Sequence, residues 1–115
     1  RMRAICEGIA AAHGASVSFA YDSNYPVTFN HEAETAFAGN VAKEIAGDPN
    51  VLTAVPPVMG GEDFSYMLEA RPGAFICIGN GATAGLHHPE YDFNDKAIPY
   101  GVSYWARLVE TALAA

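Results

Sequence analysis

In the stretch "PGAFICIGNG", residues 72–81, the middle decides the reading: Ala74 to Gly79 is an unbroken apolar run, set off by Pro72 and Gly73. A short continuous apolar segment bounded by turn residues reads as a strand buried on both faces of a parallel or mixed sheet. Immediately before it, "GGEDFSYMLEARPG" gives a glycine hinge at Gly60 and Gly61, then a short helix fronted by Glu62 and Asp63 and stopped at Pro72 and Gly73. A helix leading into such a strand makes the expected fold class α/β.

Working outward, "NHEAETAFAGNVAKEIAG" (30–47) reads as a helix. Asn30 stands at the cap, Glu32 and Glu34 occupy the first turn, Phe37, Val41 and Ile45 form a stripe, and Gly47 ends it. "VLTAVPPVM" (51–59) is extended, and its two prolines keep it from being a central strand. From Asp95 a last helix carries Ile98, Val102, Trp105, Val109, Ala112 and Leu113 on one side, with Pro99 in the tolerated first turn. At the other end, Met2, Ile5, Ile9 and Ala12 fall at helical spacing and Gly14 is the stop. Val17, Phe19 and Tyr21 then alternate with Ser16, Ser18 and Ala20, which predicts a strand with one buried face. The turn-rich stretch Asp22–Pro26 is the expected domain boundary. The first helix has no capping residue and the first residue is Arg1, so the expectation is the C-terminal part of a longer protein.

Of 115 residues, half are hydrophobic, enough for one core, and the net charge is −7 with only six scattered Lys and Arg. No basic stripe exists to meet phosphates or an anionic membrane, so neither nucleic acid nor lipid is an expected partner. Nothing approaches the ~20 consecutive apolar residues of a membrane span. Cys6 and Cys77 do not make a disulfide framework; Cys77, in the apolar run, reads as a buried reduced thiol, which suits a cytoplasmic location.

Two places offer chemistry. In "GLHHPEYDFND" (85–95), His87 and His88 sit in a loop between the expected strand and the last helix, where α/β proteins gather their sites. A loop histidine is more often solvated or hydrogen-bonded than a ligand, yet histidine is also the commonest zinc ligand. If the loop is extended, the two imidazoles point in opposite directions and only one faces a given metal; Pro89 biases His88 that way. Glu90, Asp92 and Asp95 stand as second partners to an imidazole, or as turn acids, with Asp95 a helix cap. His13 and His31 show no ligand spacing with His87 and read as structural or solvent-facing. In "MGGEDFSYML" (59–68), the glycines permit close backbone approach and the helix start exposes N–H groups to a substrate carboxylate; alternatively Glu62 and Asp63 merely cap their own helix. No nucleophile triad and no phosphate loop is present.

Taken in order, "YPVTFN", "MGGEDFSYML", "PGAFICIGNG" and "LHHPEYDFND", followed by a Trp-bearing helix, resemble the C-terminal part of the metal-dependent amidohydrolase and aminoacylase peptidase family, over essentially the whole chain. That family includes hippurate hydrolase, N-acetyl-amino-acid deacetylases and plant auxin-conjugate hydrolases. The resemblance implies a di-zinc-peptidase-like α/β catalytic domain interrupted by an α+β satellite that often mediates dimerisation. Residues 1–22 would then be the last helix and strand of the satellite, and residues 23–115 the C-terminal part of the catalytic domain. It implies that His87 is a metal ligand and His88 a bystander, and that Gly60, Gly61 and Glu62 neighbour the substrate. It further implies two divalent ions (Zn, Mn, Co or Ni) in the full-length protein, an N-acyl amino acid substrate and a homodimer. No catalytic residue falls in this chain: the general-base glutamate and the other ligands are expected upstream of Arg1, leaving the fragment inactive and metal-free on its own. The other readings are a free-standing α/β binding or dimerisation module, and a metallo-carboxypeptidase of the same fold acting on peptides.

Overall fold

The structure, a computed structural model, describes residues 1–113; the last two residues of the region assigned to 23–115 lie outside the described residues. Four α-helices run in the order α1 (Met2–Ala12), α2 (Glu32–Ala46), α3 (Phe64–Ala70) and α4 (Ala97–Ala112), with a 3₁₀ turn at Asp48–Asn50 after α2. All four stand where the sequence places a helix, three by periodicity and α3 by its acidic start and Pro-Gly stop.

α1 ends as Gly14 requires. With φ +63°, Gly14 donates to Ala11 O, and Ala15 N–H reaches back to Ala10 O at 2.9 Å, the paired closure of a Schellman motif. The chain then runs back extended, and Arg3 holds it: the guanidinium donates to Phe19 O at 3.2 Å and lies 5.1 Å from the centre of the Phe19 ring. Phe19 stacks on Tyr21, its neighbour on the same side of the extended chain.

The centre of the molecule is the packing of α2 on α4. Ala38 and Val41 of α2 and Ala97 and Tyr104 of α4 are buried, joined by Ser65 and Leu68 of α3. Arg107 of α4 ties the pair at its rim with a 2.7 Å bond to Glu44. α4 does not bury the stripe that its sequence presents. Ile98, Val102, Trp105 and Val109 are exposed, Trp105 to 62%, and the residues of α4 buried in the packing with α2 are Ala97 and Tyr104, with Leu108 half-buried.

The expected strands are absent: among the described residues there is no β-strand. Residues 74–79 carry no regular secondary structure and have no neighbouring strand. Phe75 is 36% and Ile78 54% exposed, and Cys77 is exposed rather than buried. Residues 15–22 likewise carry no regular secondary structure, with Val17 and Tyr21 exposed. The physical reason is common to both, since a strand exists only through hydrogen bonds to a neighbouring strand, and none lies alongside either segment here.

Asn30 also corrects the sequence reading. The residue at the α2 cap is His31, whose backbone carbonyl accepts Thr35 Oγ1 at 2.7 Å. The Asn30 amide is committed elsewhere, accepting from Phe75 N–H and donating to Phe75 O, both at 2.8 Å. A side-chain amide with one donor and one acceptor side by side thus imitates a strand neighbour at a single residue of the 74–79 run.

The molecule is 67 Å long, with a radius of gyration of 20.4 Å, where a chain of this length packed as a sphere would have about 13 Å. Its accessible surface is 9575 Å², against about 6,100 Å² for a compact monomer of its mass. No described helix is long and apolar enough to cross a membrane.

Candidate functional site

The loop carrying the two histidines is built of consecutive turns. His88 N–H donates to Gly85 O at 3.1 Å, and Tyr91 N–H to His88 O at 3.0 Å, so two β-turns share His88. His87 has φ +66° and is the single non-glycine residue at positive φ among the described residues. With Leu86 at negative φ and His87 at positive φ, Gly85–His88 has the type II pattern, whose third position ordinarily takes Gly or Asn. The loop is therefore not extended, as the sequence reading assumed, and the separation of the two imidazoles has a different origin.

The left-handed conformation costs an L-residue about 1–2 kcal/mol; such strain persists where the surroundings enforce it, often at functional sites. The two rings have different company. His88 Nδ1 accepts Glu90 N–H at 3.1 Å, which engages one of its nitrogens within its own turn. His87 is exposed, and its ring has no hydrogen-bond partner among the described residues. The carboxylates of Glu90, Asp92 and Asp95 do not reach either ring. Asp95 does not cap α4 either: the cap position is Lys96, without a side-chain cap, and Asn94 shapes the turn leading into it, its Oδ1 accepting Lys96 N–H at 3.1 Å and its backbone oxygen accepting Ala97 N–H at 2.8 Å.

The loop is closed by Asn80, a residue the sequence reading did not single out. Asn80 Nδ2 donates to Asp92 O at 2.7 Å, and Asn80 Oδ1 accepts Asn94 N–H at 2.8 Å. Asp92 N–H adds a bond to Thr83 Oγ1 at 3.3 Å. The available signal was an amide directly after the apolar run, inside "GNG".

The glycine segment lies against the "YPVTFN" segment. A Cβ on Gly61 would stand 2.9 Å from Tyr25 Cδ2, so the Tyr25 ring occupies the place of a side chain. Tyr25 meets Tyr66 edge-on at 6.0 Å, and the Tyr66 hydroxyl donates to Asn24 O. Gly60 has open space where its Cβ would be. Glu62 caps α3: its Oε1 accepts Phe64 N–H at 3.0 Å and its backbone oxygen accepts Ser65 Oγ at 2.6 Å. The helix start is thereby supplied from within. Phe64 packs on Phe75 at 5.6 Å, linking this segment to the 74–79 run. No hydrogen bond joins Gly60, Gly61 or Glu62 to the His87 loop among the described residues. His31 is structural, its Nδ1 receiving Gly73 N–H at 3.2 Å and its N–H reaching Gly73 O at 3.0 Å.

Among the described residues no group of three or more His, Cys, Asp or Glu side chains comes together as a metal-ligand set. His13 and His87 both have exposed imidazoles with no hydrogen-bond partner among the described residues, and of the two it is His87 that is held in a strained turn. Any metal centre that uses it draws its remaining donors from elsewhere.

Residues 4–111 match the model of peptidase family M20/M25/M40. The chain is 36% identical over 104 residues to the hippurate hydrolase of Campylobacter jejuni, covering 90% of the chain and 27% of that protein. To the N-acetylcysteine deacetylase of Bacillus subtilis it is 32% identical over 112 residues, 97% of the chain and 29% of the relative. To the N-acetyldiaminopimelate deacetylase of Bacillus cytotoxicus it is 34% identical over 111 residues, 96% of the chain and 29% of the relative. The chain spans less than a third of the length of these curated relatives. No solved structure matches it.

Proposed function

The chain belongs to peptidase family M20/M25/M40, and from that membership we propose that it is the C-terminal part of an amidohydrolase cleaving the amide bond of N-acyl amino acids. The observation that carries this reading is the family match over residues 4–111, together with relatives whose names specify hydrolysis of hippurate and deacetylation of N-acetyl amino acids. Those names favour acyl amino acids over peptides, and so favour an amidohydrolase over a carboxypeptidase.

Family members generally depend on divalent metal ions. His87 is the residue of this chain proposed to contribute a ligand, because its ring is accessible and unpartnered while that of His88 is engaged by Glu90 N–H. The number and identity of ions, two of Zn, Mn, Co or Ni in this reading, belong to the complete protein. A metal of this kind supplies Lewis-acid polarisation and an activated water. The residues of this chain do the positioning: His87 is presented by the type II turn, and Gly60 offers backbone that a substrate can approach, since Gly61 is covered by Tyr25 and the Glu62 carboxylate serves α3. A satellite-domain origin for residues 1–22, a homodimer and a cytoplasmic location complete the proposal. The exposed apolar face of α1, with Met2, Ile5 and Ile9 all solvent-open, is consistent with a helix that packs on chain outside these residues.

The test is an assay of the complete protein on N-acyl amino acids and on dipeptides side by side, before and after chelation. Metal-dependent release of free amino acid from the acyl substrates is the expected result. Preference for dipeptides would replace the substrate class, and activity indifferent to chelation would remove the metal reading.

A further inference from the structure

We infer that Asn80 is the positioning residue for His87, fixing the turn that presents its imidazole; the inference rests on the reading of His87 as a metal ligand. The argument starts from what holds the loop. Between Asn80 and Asn94 the backbone bonds are local to single turns: Thr83 N–H to Gly81 O, His88 N–H to Gly85 O and Tyr91 N–H to His88 O. None of them brings the two ends of the loop together. That closure is made by three side-chain bonds, two from the Asn80 amide at 2.7 and 2.8 Å and one from Thr83 Oγ1 at 3.3 Å. Asn80 supplies the two shorter ones, and with both faces of one amide, so it fixes distance and orientation together.

The clamp also connects the loop to the packed part of the molecule on both sides. Asn94 O accepts the N–H of Ala97, a residue buried against α2, and the chain before Asn80 is the run that Asn30 holds at Phe75. A turn with a non-glycine residue at positive φ relaxes unless its ends are held. His87 is in that conformation, and the Asn80 amide is the largest holder of the ends. Groups that orient a ligand without touching the metal typically change affinity by about 10- to 100-fold when removed.

The experiment measures zinc affinity of the complete protein, by competition with a chromophoric chelator, for wild type, Asn80→Ala, Asn80→Asp, Thr83→Val and His87→Ala. Amide hydrogen exchange at Asn94 and thermal denaturation are followed in parallel. Asn80→Ala is expected to weaken zinc binding by about 10-fold or more, to accelerate exchange at Asn94 and to leave the melting transition cooperative. Asn80→Asp keeps the acceptor for Asn94 N–H but sets a carboxylate oxygen against Asp92 O, so it is expected to bind zinc no better than Asn80→Ala, whereas Thr83→Val loses only the 3.3 Å bond and is expected to keep most of the affinity; a purely structural role would not yield that graded order. Should Asn80→Ala not fold, Asn80→Asp and Thr83→Val carry the same comparison, each removing one closing bond. Unchanged affinity in the Asn80 variants beside a loss in His87→Ala overturns the positioning role and leaves His87 a ligand. Unchanged affinity in His87→Ala overturns the ligand reading, and the positioning role with it.

Discussion

The side chain of Asn30 pairs with the backbone of Phe75 across forty-five residues, one amide satisfying both the N–H and the C=O of that residue at 2.8 Å. It is the point at which the α2 entry is joined to the run 74–79, reinforced by the bond from His31 N–H to Gly73 O. Removing it strips two hydrogen bonds from a backbone that has no strand neighbour.

Asn30→Ala is accordingly expected to destabilise the chain by about 1–3 kcal/mol, two net hydrogen bonds at about 1 ± 0.5 kcal/mol each plus part of the cost of leaving Phe75 unpaired. Asn30→Asp keeps the acceptor and sets a carboxylate oxygen against Phe75 O, so it is expected to do no better than alanine. Urea denaturation of the three proteins checks this; equal midpoints would mean that solvent replaces the amide without loss.

The two glycines of the "GGEDF" segment are expected to respond differently. Gly61→Ala places a methyl 2.9 Å from Tyr25 Cδ2, inside any real carbon contact, and the Tyr25 ring must leave its edge-on contact with Tyr66. A loss of about 1–3 kcal/mol follows, the usual range for overpacking. Gly60→Ala meets nothing within 4 Å and is expected to be neutral or slightly stabilising. Thermal melts, with tyrosine ring NMR shifts as a local reporter, separate the two.

Burial at the α2–α4 contact pushes the Tyr104 phenol above its ordinary value. For an acid whose folded pKa is raised, the unfolded chain loses its proton first, near pH 10. The associated stability is complete below that pH and is lost as pH climbs through the folded pKa. Wild type is therefore expected to lose stability above about pH 10 more steeply than Tyr104→Phe, and denaturant midpoints measured from pH 8 to 11 test it. Parallel curves would mean that the phenol is as well solvated folded as unfolded.

The helices were legible because their signals are local: Gly14 and Gly47 just past the last turn, Glu32 and Glu34 at the α2 start, Pro72 and Gly73 after α3. The failures are non-local. A cap rule assigned Asn30 to α2, but a partner forty-five residues away outcompeted it. Periodicity found the apolar stripe of α4 and could not say that Ala97 and Tyr104 would be buried instead. Residues 74–79 have strand composition, yet composition supplies no neighbour to pair with. In the site, histidine chemistry pointed to His87 and His88 together and the family resemblance chose His87, whereas its positive φ and the Asn80 clamp depend on loop closure, which leaves no periodic trace in the sequence.

Strain and ligand chemistry at His87 can be separated by substitution. His87→Gly relieves the left-handed backbone and is expected to stabilise the chain by up to about 1 kcal/mol, the relief of about 1–2 kcal/mol being offset in part by glycine's greater unfolded-state freedom. His87→Ala keeps the strain and is expected to leave stability within about 0.5 kcal/mol. In the complete protein both variants are expected to lose metal and turnover alike, because both lack the imidazole. His88→Ala gives up only the bond from Glu90 N–H and is expected to keep metal, with a stability cost of about 1 kcal/mol or less. Denaturation of the variants and metal content by atomic emission settle the pattern. If glycine and alanine at position 87 are equally stable, the turn carries no strain; if His88→Ala sheds metal as His87→Ala does, the ring engaged by Glu90 N–H is a ligand too.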